Sequence, residues 1–206
     1  QRFFKECDSY VLRKKTPGRP YVYPALYRFL YCCGARCGEA RHLRCENVHL
    51  SDGYLDILQS KGHRDRRLFL SDELISYLIE YDCAIRNCFP KREYFFPGPS
   101  GNIISASSIP FNFRKIWLAA GLKRDGEIKP RPYDFRHHFA CANIARWAKE
   151  RKDVISMLPY LMRYMGHSSL EKTYYYVHLI PDYFADYAAA TENLESLLPE
   201  VEPYEI

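Results

Sequence analysis

Tyr133-Asp134-Phe135-Arg136-His137-His138-Phe139-Ala140 begins a run to Glu150 that contains neither glycine nor proline and follows directly on Lys129-Pro130-Arg131-Pro132. Prolines stop one element and the breaker-free run starts another, so the spacing predicts a helix over 134–150 with Arg136 in its first turn. Outward from there, helices outnumber strands. On the N-terminal side, helices are expected over 1–15 and 21–33, divided by the breaker Thr16-Pro17-Gly18-Arg19-Pro20. Gly34 ends the second, and a short helix runs from Glu39 to Leu43. Leu55 and Ile57 alternate with polar neighbours, which predicts strands Tyr54–Leu58 and Arg67–Leu70 joined by the turn Ser60-Lys61-Gly62-His63-Arg64-Asp65. Further helices are expected over 72–88, 108–120, 159–166, 169–178 and 181–198. The fold class read from this pattern is mostly α (α+β), with one small antiparallel β-sheet or hairpin. The sequence contains no internal repeat, low-complexity tract or second domain boundary.

Three separated segments collect residue types suited to phosphate chemistry: Gly34-Ala35-Arg36-Cys37-Gly38-Glu39, the run 133–140, and Gly166-His167-Ser168-Ser169 leading to Thr173-Tyr174-Tyr175-Tyr176. Exchanging one phosphodiester for another needs a nucleophile, an acid for the leaving oxygen, and fixed positive charge where the phosphorane becomes more negative. Arg36 and Arg136 fit the last requirement, because a guanidinium fork binds two phosphate oxygens at once and stays charged at working pH. Each feature alone has an ordinary reading. An arginine after a glycine can cap a helix, and Gly-His-Ser-Ser can be one helix end followed by the next N-cap. Tyr174, Tyr175 and Tyr176 cannot all face one site. Their joint occurrence in this order carries the weight.

Together the segments resemble the tyrosine recombinase (phage integrase) family. Its boxes read Gly-x-Arg-x-x-Glu, then His-x-x-Arg-His-x-Phe-Ala, then Gly-His followed, nine residues after the His, by a tyrosine. Nine residues beyond His167 stands Tyr176. The turn Lys61-Gly62-His63-Arg64-Asp65-Arg66 is similar to the family's Lys-Gly-x-Lys-Glu-Arg turn. The resemblance covers about residues 20 to 180. It implies the catalytic domain of a site-specific recombinase that cleaves and rejoins duplex DNA through a 3′-phosphotyrosyl link, with Arg36, Lys61, Tyr133, Arg136, His167 and Tyr176 as catalytic residues. In that assignment Tyr176 is the nucleophile, activated by the field of the two arginines. Lys61 protonates the departing 5′-oxygen and His167 adds a donor. The resemblance also implies no metal and no cofactor, duplex DNA as partner, a homo-oligomer that is a tetramer on paired sites, and a bacterial mobile element as context. Glu39 is expected to brace Arg36 or the backbone, and His137 and His138 to be core or supporting groups.

One position departs from the family: where its second box has His, this chain has Tyr133. A phenol is a poor base near pH 7, so the role left to it is hydrogen-bond donation. Two other readings therefore stay open, a DNA-binding accessory protein that keeps the fold without catalysis, and a type IB topoisomerase or telomere-resolvase-like enzyme.

At 206 residues and 47% hydrophobic, the chain can bury one substantial core. It holds 30 Lys and Arg against 25 Asp and Glu, and residues 181–206 contain seven of those acids and no base. A basic body with an acidic tail suits polyanion binding by the first and partner-seeking by the second. A catalytic domain over 1–180 is thus expected, with a C-terminal helix and acidic tail over 181–206 docking on a neighbouring protomer. Because the chain opens inside a helix at Gln1, an N-terminal core-binding domain is expected upstream. No stretch approaches the roughly 18 apolar residues of a membrane span and no signal peptide is apparent, so the expectation is no membrane and a cytoplasmic protein acting on the nucleoid. The eight cysteines show neither a CxxC framework nor zinc-module spacing and are expected to be reduced and mostly buried.

Overall fold

The structure, a computed structural model, describes residues 2–12, 18–58, 65–122 and 130–177. Within them, glycines, prolines and capping side chains set where each helix starts and stops. The helix α1 spans Arg2–Leu12, and α2 spans Arg19–Cys33 between Gly18 and Gly34, both in the left-handed region at φ 72 and 58. Pro20 falls in the first turn of α2, where a missing N–H costs nothing, so the helix begins ahead of the expected residue 21. Next come α3 (Cys37–His42), three short strands, α4 (Asp72–Cys88), α5 (Ser108–Ala119), α6 (Asp134–Lys149), α7 (Val154–Met165) and α8 (Glu171–Val177).

Two boundaries correct the sequence reading. The helix α7 starts at Val154, not at Pro159, because the Asp153 side chain accepts the N–H groups of Ile155 and Ser156 at 3.0 and 3.3 Å. Pro159 then lies inside the helix on its exposed face with Ile155, whose carbonyl is left to water. The sheet has three strands in the order β1-β2-β3, all antiparallel: β1 (Val48–His49), β2 (Tyr54–Ile57) and β3 (Arg66–Phe69). The two-residue β1, pairing Val48 with Leu55 and His49 with Tyr54, was not expected. Leu55, Ile57 and Leu68 turn inward and are buried. Residues 59–64, which hold Lys61 and most of the expected turn 60–65, lie outside the described residues, as do the expected helix 181–198 and the acidic tail.

Among the described residues, the buried apolar side chains form two clusters. The larger joins α1, α2, the sheet, α4 and α5, with Phe3, Tyr27, Phe113 and Phe135 packed ring on ring; Phe113 meets Phe135 edge-on at 5.2 Å. The smaller gathers Ala140, Ile144 and Trp147 of α6, Leu158, Leu161 and Met165 of α7, and Tyr176 and Val177 of α8. Each buried Leu, Ile or Phe contributes roughly 1.5–3 kcal/mol. One helix serves both, since α6 gives Phe135 to the first cluster and its later turns to the second. Arg136, 1% exposed, therefore sits at the seam. All eight cysteines are free thiols, but only Cys7 and Cys33 are buried; Cys32 and Cys83 are exposed on the outer faces of α2 and α4, so "mostly buried" does not hold. Among the described residues, no helix is long and apolar enough to cross a membrane.

Candidate active site

The last turn of an α-helix leaves carbonyls with no partner inside the helix. At the end of α7 three successive ones each accept from a different arginine. Tyr164 O takes Arg66 Nε at 2.6 Å, Met165 O takes Arg136 Nη2 at 2.5 Å, and Gly166 O takes Arg36 Nη2 at 2.8 Å. Arg136 also donates, through Nη1, to Gly34 O at the end of α2 at 2.7 Å. Two helix C-termini, each carrying partial negative charge, thus draw together side chains from α6, from β3 and from the N-cap of α3. Backbone geometry makes the approach possible. Gly34 is at φ 58, and a Cβ there would stand 2.5 Å from the Phe139 ring; Gly166 is at φ 65, and a Cβ there would stand 3.0 Å from Arg66 Nη1.

Glu39, with 5% of its side chain exposed, is the anion of the group. It accepts the Arg36 backbone N–H at 2.8 Å and Arg36 Nη1 at 2.6 Å, and from the other side Arg66 Nη1 and Nη2 at 3.0 and 2.9 Å. Burial alone would raise its pKa, but the bonds and charge of Arg66, then those of Arg36, hold it below the usual carboxylate value. Glu39 therefore braces both the side chain and the backbone of Arg36. Burial, then the charge of Arg36, lowers Arg136 to about 10, still a cation at neutral pH. Three guanidiniums against one carboxylate leave the cluster positive, and Arg136 Nε has no acceptor among the described residues. Arg36 is the member that reaches outward, with 28% of its side chain exposed.

Beside this cluster runs a row of rings. Tyr133, 41% exposed, meets His137 edge-on at 4.8 Å, His137 lies 5.5 Å from Tyr176, and Tyr176 stacks on His167 at 6.0 Å. The His167 Nδ1 is 2.8 Å from Thr173 Oγ1. Burial, then Arg136 and Arg36, presses the His167 imidazole down to about 4, so it is neutral at pH 7. Tyr176 is only 3% exposed, and burial, then the neighbouring Tyr133, pushes its phenol up to about 12 against the pull of Arg136. The field of Arg136 does favour the phenolate, as expected, but desolvation outweighs it. His138 is exposed, stacking on Tyr31 at 5.0 Å with its Nε2 2.9 Å from the Tyr31 hydroxyl, so it is a surface group and not a core one.

The structure brings Arg36, Tyr133, Arg136, His167 and Tyr176 to one place from three segments of chain, while Lys61 lies outside the described residues. Sequence reasoning missed Thr173 and the inward role of Arg66. Arg66 was visible as the last residue of a basic turn, but nothing in its neighbours marked it as buried. Thr173 gave no signal at all.

A family model described as the phage integrase family matches residues 13–182. The chain belongs to this family. Among phage integrase relatives it is 33% identical over 165 residues to the Sinorhizobium fredii protein named "Putative integrase/recombinase y4rE", covering 78% of this chain and 52% of that one. To the tyrosine recombinase XerC of Lactobacillus delbrueckii subsp. bulgaricus it is 27% identical over 183 residues, 86% of this chain and 58% of that one. It thus spans about half the length of the curated relatives it matches. In fold this integrase-family chain is similar to the crystal structure of XerA recombinase, with TM-score 0.71, 21% identity, and 92% and 60% of the two chains covered. It is also similar to XerH recombinase bound to its difH substrate in a pre-cleavage complex, with TM-score 0.64, 23% identity, and 86% and 47% covered.

Proposed function

We propose that this chain is the DNA-cleaving part of a site-specific recombinase that integrates or excises a bacterial mobile element, exchanging strands of duplex DNA through a 3′-phosphotyrosyl intermediate. The observation that carries the reading is the pair Arg36 and Arg136, both held on the terminal carbonyls of α7 beside the stacked rings of Tyr176 and His167. The phenol oxygen of Tyr176 gives its proton to solvent water and bonds to the scissile phosphorus, the bond from phosphorus to the 5′-oxygen breaks, and that oxygen leaves as a hydroxyl with a proton from Lys61. The two guanidiniums stabilise the added negative charge on the phosphorane, and the neutral His167 and Tyr133 donate hydrogen bonds to it. Energy of the broken bond stays in the tyrosyl ester, so rejoining to a 5′-hydroxyl needs no ATP.

With Tyr176 buried and its phenol raised to about 12, the nucleophile is stored protonated, and docking of DNA must open the packing around α8 before attack. The solved relatives include a XerH complex with difH and a lambda integrase tetramer on a Holliday junction, which supports duplex DNA as substrate and a tetramer as the working assembly. In this reading residues 1–180 form the catalytic domain, residues 181–206 reach a neighbouring protomer, and the protein acts on the nucleoid. A nicked suicide substrate, which traps the covalent intermediate, tests it. The unmutated chain should give a DNA adduct that Tyr176→Phe does not. Binding without any adduct would leave a DNA-binding protein of this fold, and relaxation of plasmid without paired sites would leave a topoisomerase.

A further inference from the structure

Arg66 opens β3 and is the third guanidinium on the terminal turn of α7; only 6% of its side chain is exposed, and unlike Arg136, whose Nε has no acceptor among the described residues, each of its three guanidinium nitrogens is already engaged by protein. All of its bonds point inward. Nη1 and Nη2 grip the Glu39 carboxylate at 3.0 and 2.9 Å, and Nε donates to Tyr164 O. The same two carboxylate oxygens also take Arg36 Nη1 and the Arg36 backbone N–H. Glu39 is therefore shared between a buried cation and a half-exposed one.

A carboxylate with two cationic neighbours divides its charge and lone pairs between them; with one neighbour it forms a two-pronged pair and neutralises it. Arg36 currently meets Glu39 through a single side-chain contact, while its other prong rests on Gly166 O. We propose, resting on the recombinase reading above, that Arg66 is a positioning residue whose work is to hold the Glu39 charge, so that Glu39 aims Arg36 without capturing its whole fork. Without Arg66, Glu39 turns onto Arg36 and withdraws that guanidinium from the scissile phosphate. Arg66 also begins β3, so the same side chain ties that strand to the arginine site.

The consequence is a specific pattern among variants. Arg66→Gln should slow single-turnover cleavage of a suicide substrate by roughly 10²-fold with DNA affinity within a few-fold of the unmutated chain, the scale expected when one transition-state cation is misdirected. Adding Glu39→Gln removes the stray carboxylate and should recover about 5- to 10-fold of that loss, although Glu39→Gln alone slows the unmutated chain. Arg66→Lys keeps a cation against Glu39 and should stay within about 10-fold of the unmutated rate. Thermal melting is followed in parallel, and if Arg66→Gln does not fold, Arg66→Met, which keeps the buried stem, carries the same comparison. A role in packing alone makes the double variant as slow as Arg66→Gln or slower, and that result, or an unmutated rate in Arg66→Gln, overturns the proposal. If the unmutated chain itself gives no adduct, the recombinase reading falls and this role with it. An adduct from the unmutated chain without recovery in the double variant sinks this role alone.

Discussion

Tyr133 keeps 41% of its surface exposed while its ring meets His137 edge-on, so Tyr133→Phe removes the hydroxyl and leaves the ring contact in place. Cleavage should slow by roughly 10- to 10³-fold, the range for losing one donor to a transition-state anion, while Tyr133→His retains activity. An unmutated rate in Tyr133→Phe would make the residue packing only. Gly34 is a harder case to substitute. A Cβ at φ 58 meets left-handed strain of about 1–2 kcal/mol and the Phe139 ring, so Gly34→Ala should cost roughly 2–4 kcal/mol in denaturant unfolding. His167 makes a statement about pH. Because the folded protein holds it near 4 and an unfolded chain protonates it near 6.5, the unfolded state binds the proton first as pH falls. Stability should therefore decline from pH 6.5 toward 4, and His167→Gln should flatten that slope. A cleavage profile with a limb near pH 6.5 that vanishes in His167→Gln would contradict a neutral imidazole. At this scale the sequence was most legible where a residue type can do a job few others can, as the recombinase reading assigns to Arg36 and Arg136 on phosphate. It was least legible for Arg66, whose partners Glu39 and Tyr164 lie 27 and 98 residues away, and for Thr173, whose contact with His167 appears only once the α7–α8 turn is folded.

Capping explains most of what was and was not readable at the scale of elements. The α2 helix ends at the expected Gly34, and Leu55 and Ile57 of β2 face inward as their alternation implied. Pro159 misled because proline so commonly opens helices, while the true opening is the Asp153 side chain upstream. β1 escaped because two residues are too few to show a period. Asp153→Ala should destabilise the protein by about 0.5–2 kcal/mol, measured by thermal or urea unfolding. The effect should reach further than the cap itself, since α7 delivers at its other end the carbonyls on which three arginines rest. DNA cleavage by Asp153→Ala should therefore become temperature-sensitive before the bulk protein melts, and parallel loss of fold and cleavage would argue against that coupling.

The described residues hold two apolar clusters with the arginine site at their seam, and the basic stretches 13–19, 61–67 and 123–131 of the sequence fall largely outside them, while 146–152 lies within. Binding to DNA should be steeply salt dependent, with a log–log slope of about −3 or steeper; a shallower one means fewer than roughly four phosphate contacts. The seam has a consequence for how the protein is made. Arg36 and Gly166 O are 130 residues apart along the chain, and Arg66 and Tyr164 O are 98 apart. Residues of the first cluster, from Phe3 to Phe135, leave the ribosome before α7 does, so they can gather while Arg36 and Arg66 still lack the carbonyls that aim them. Under the recombinase reading, copies cut short by interrupted translation or clipped ahead of α7 would still carry Arg36 and Arg136 but neither the carbonyls that aim them nor Tyr176, and so would have no means of nicking the chromosome of the cell that made them.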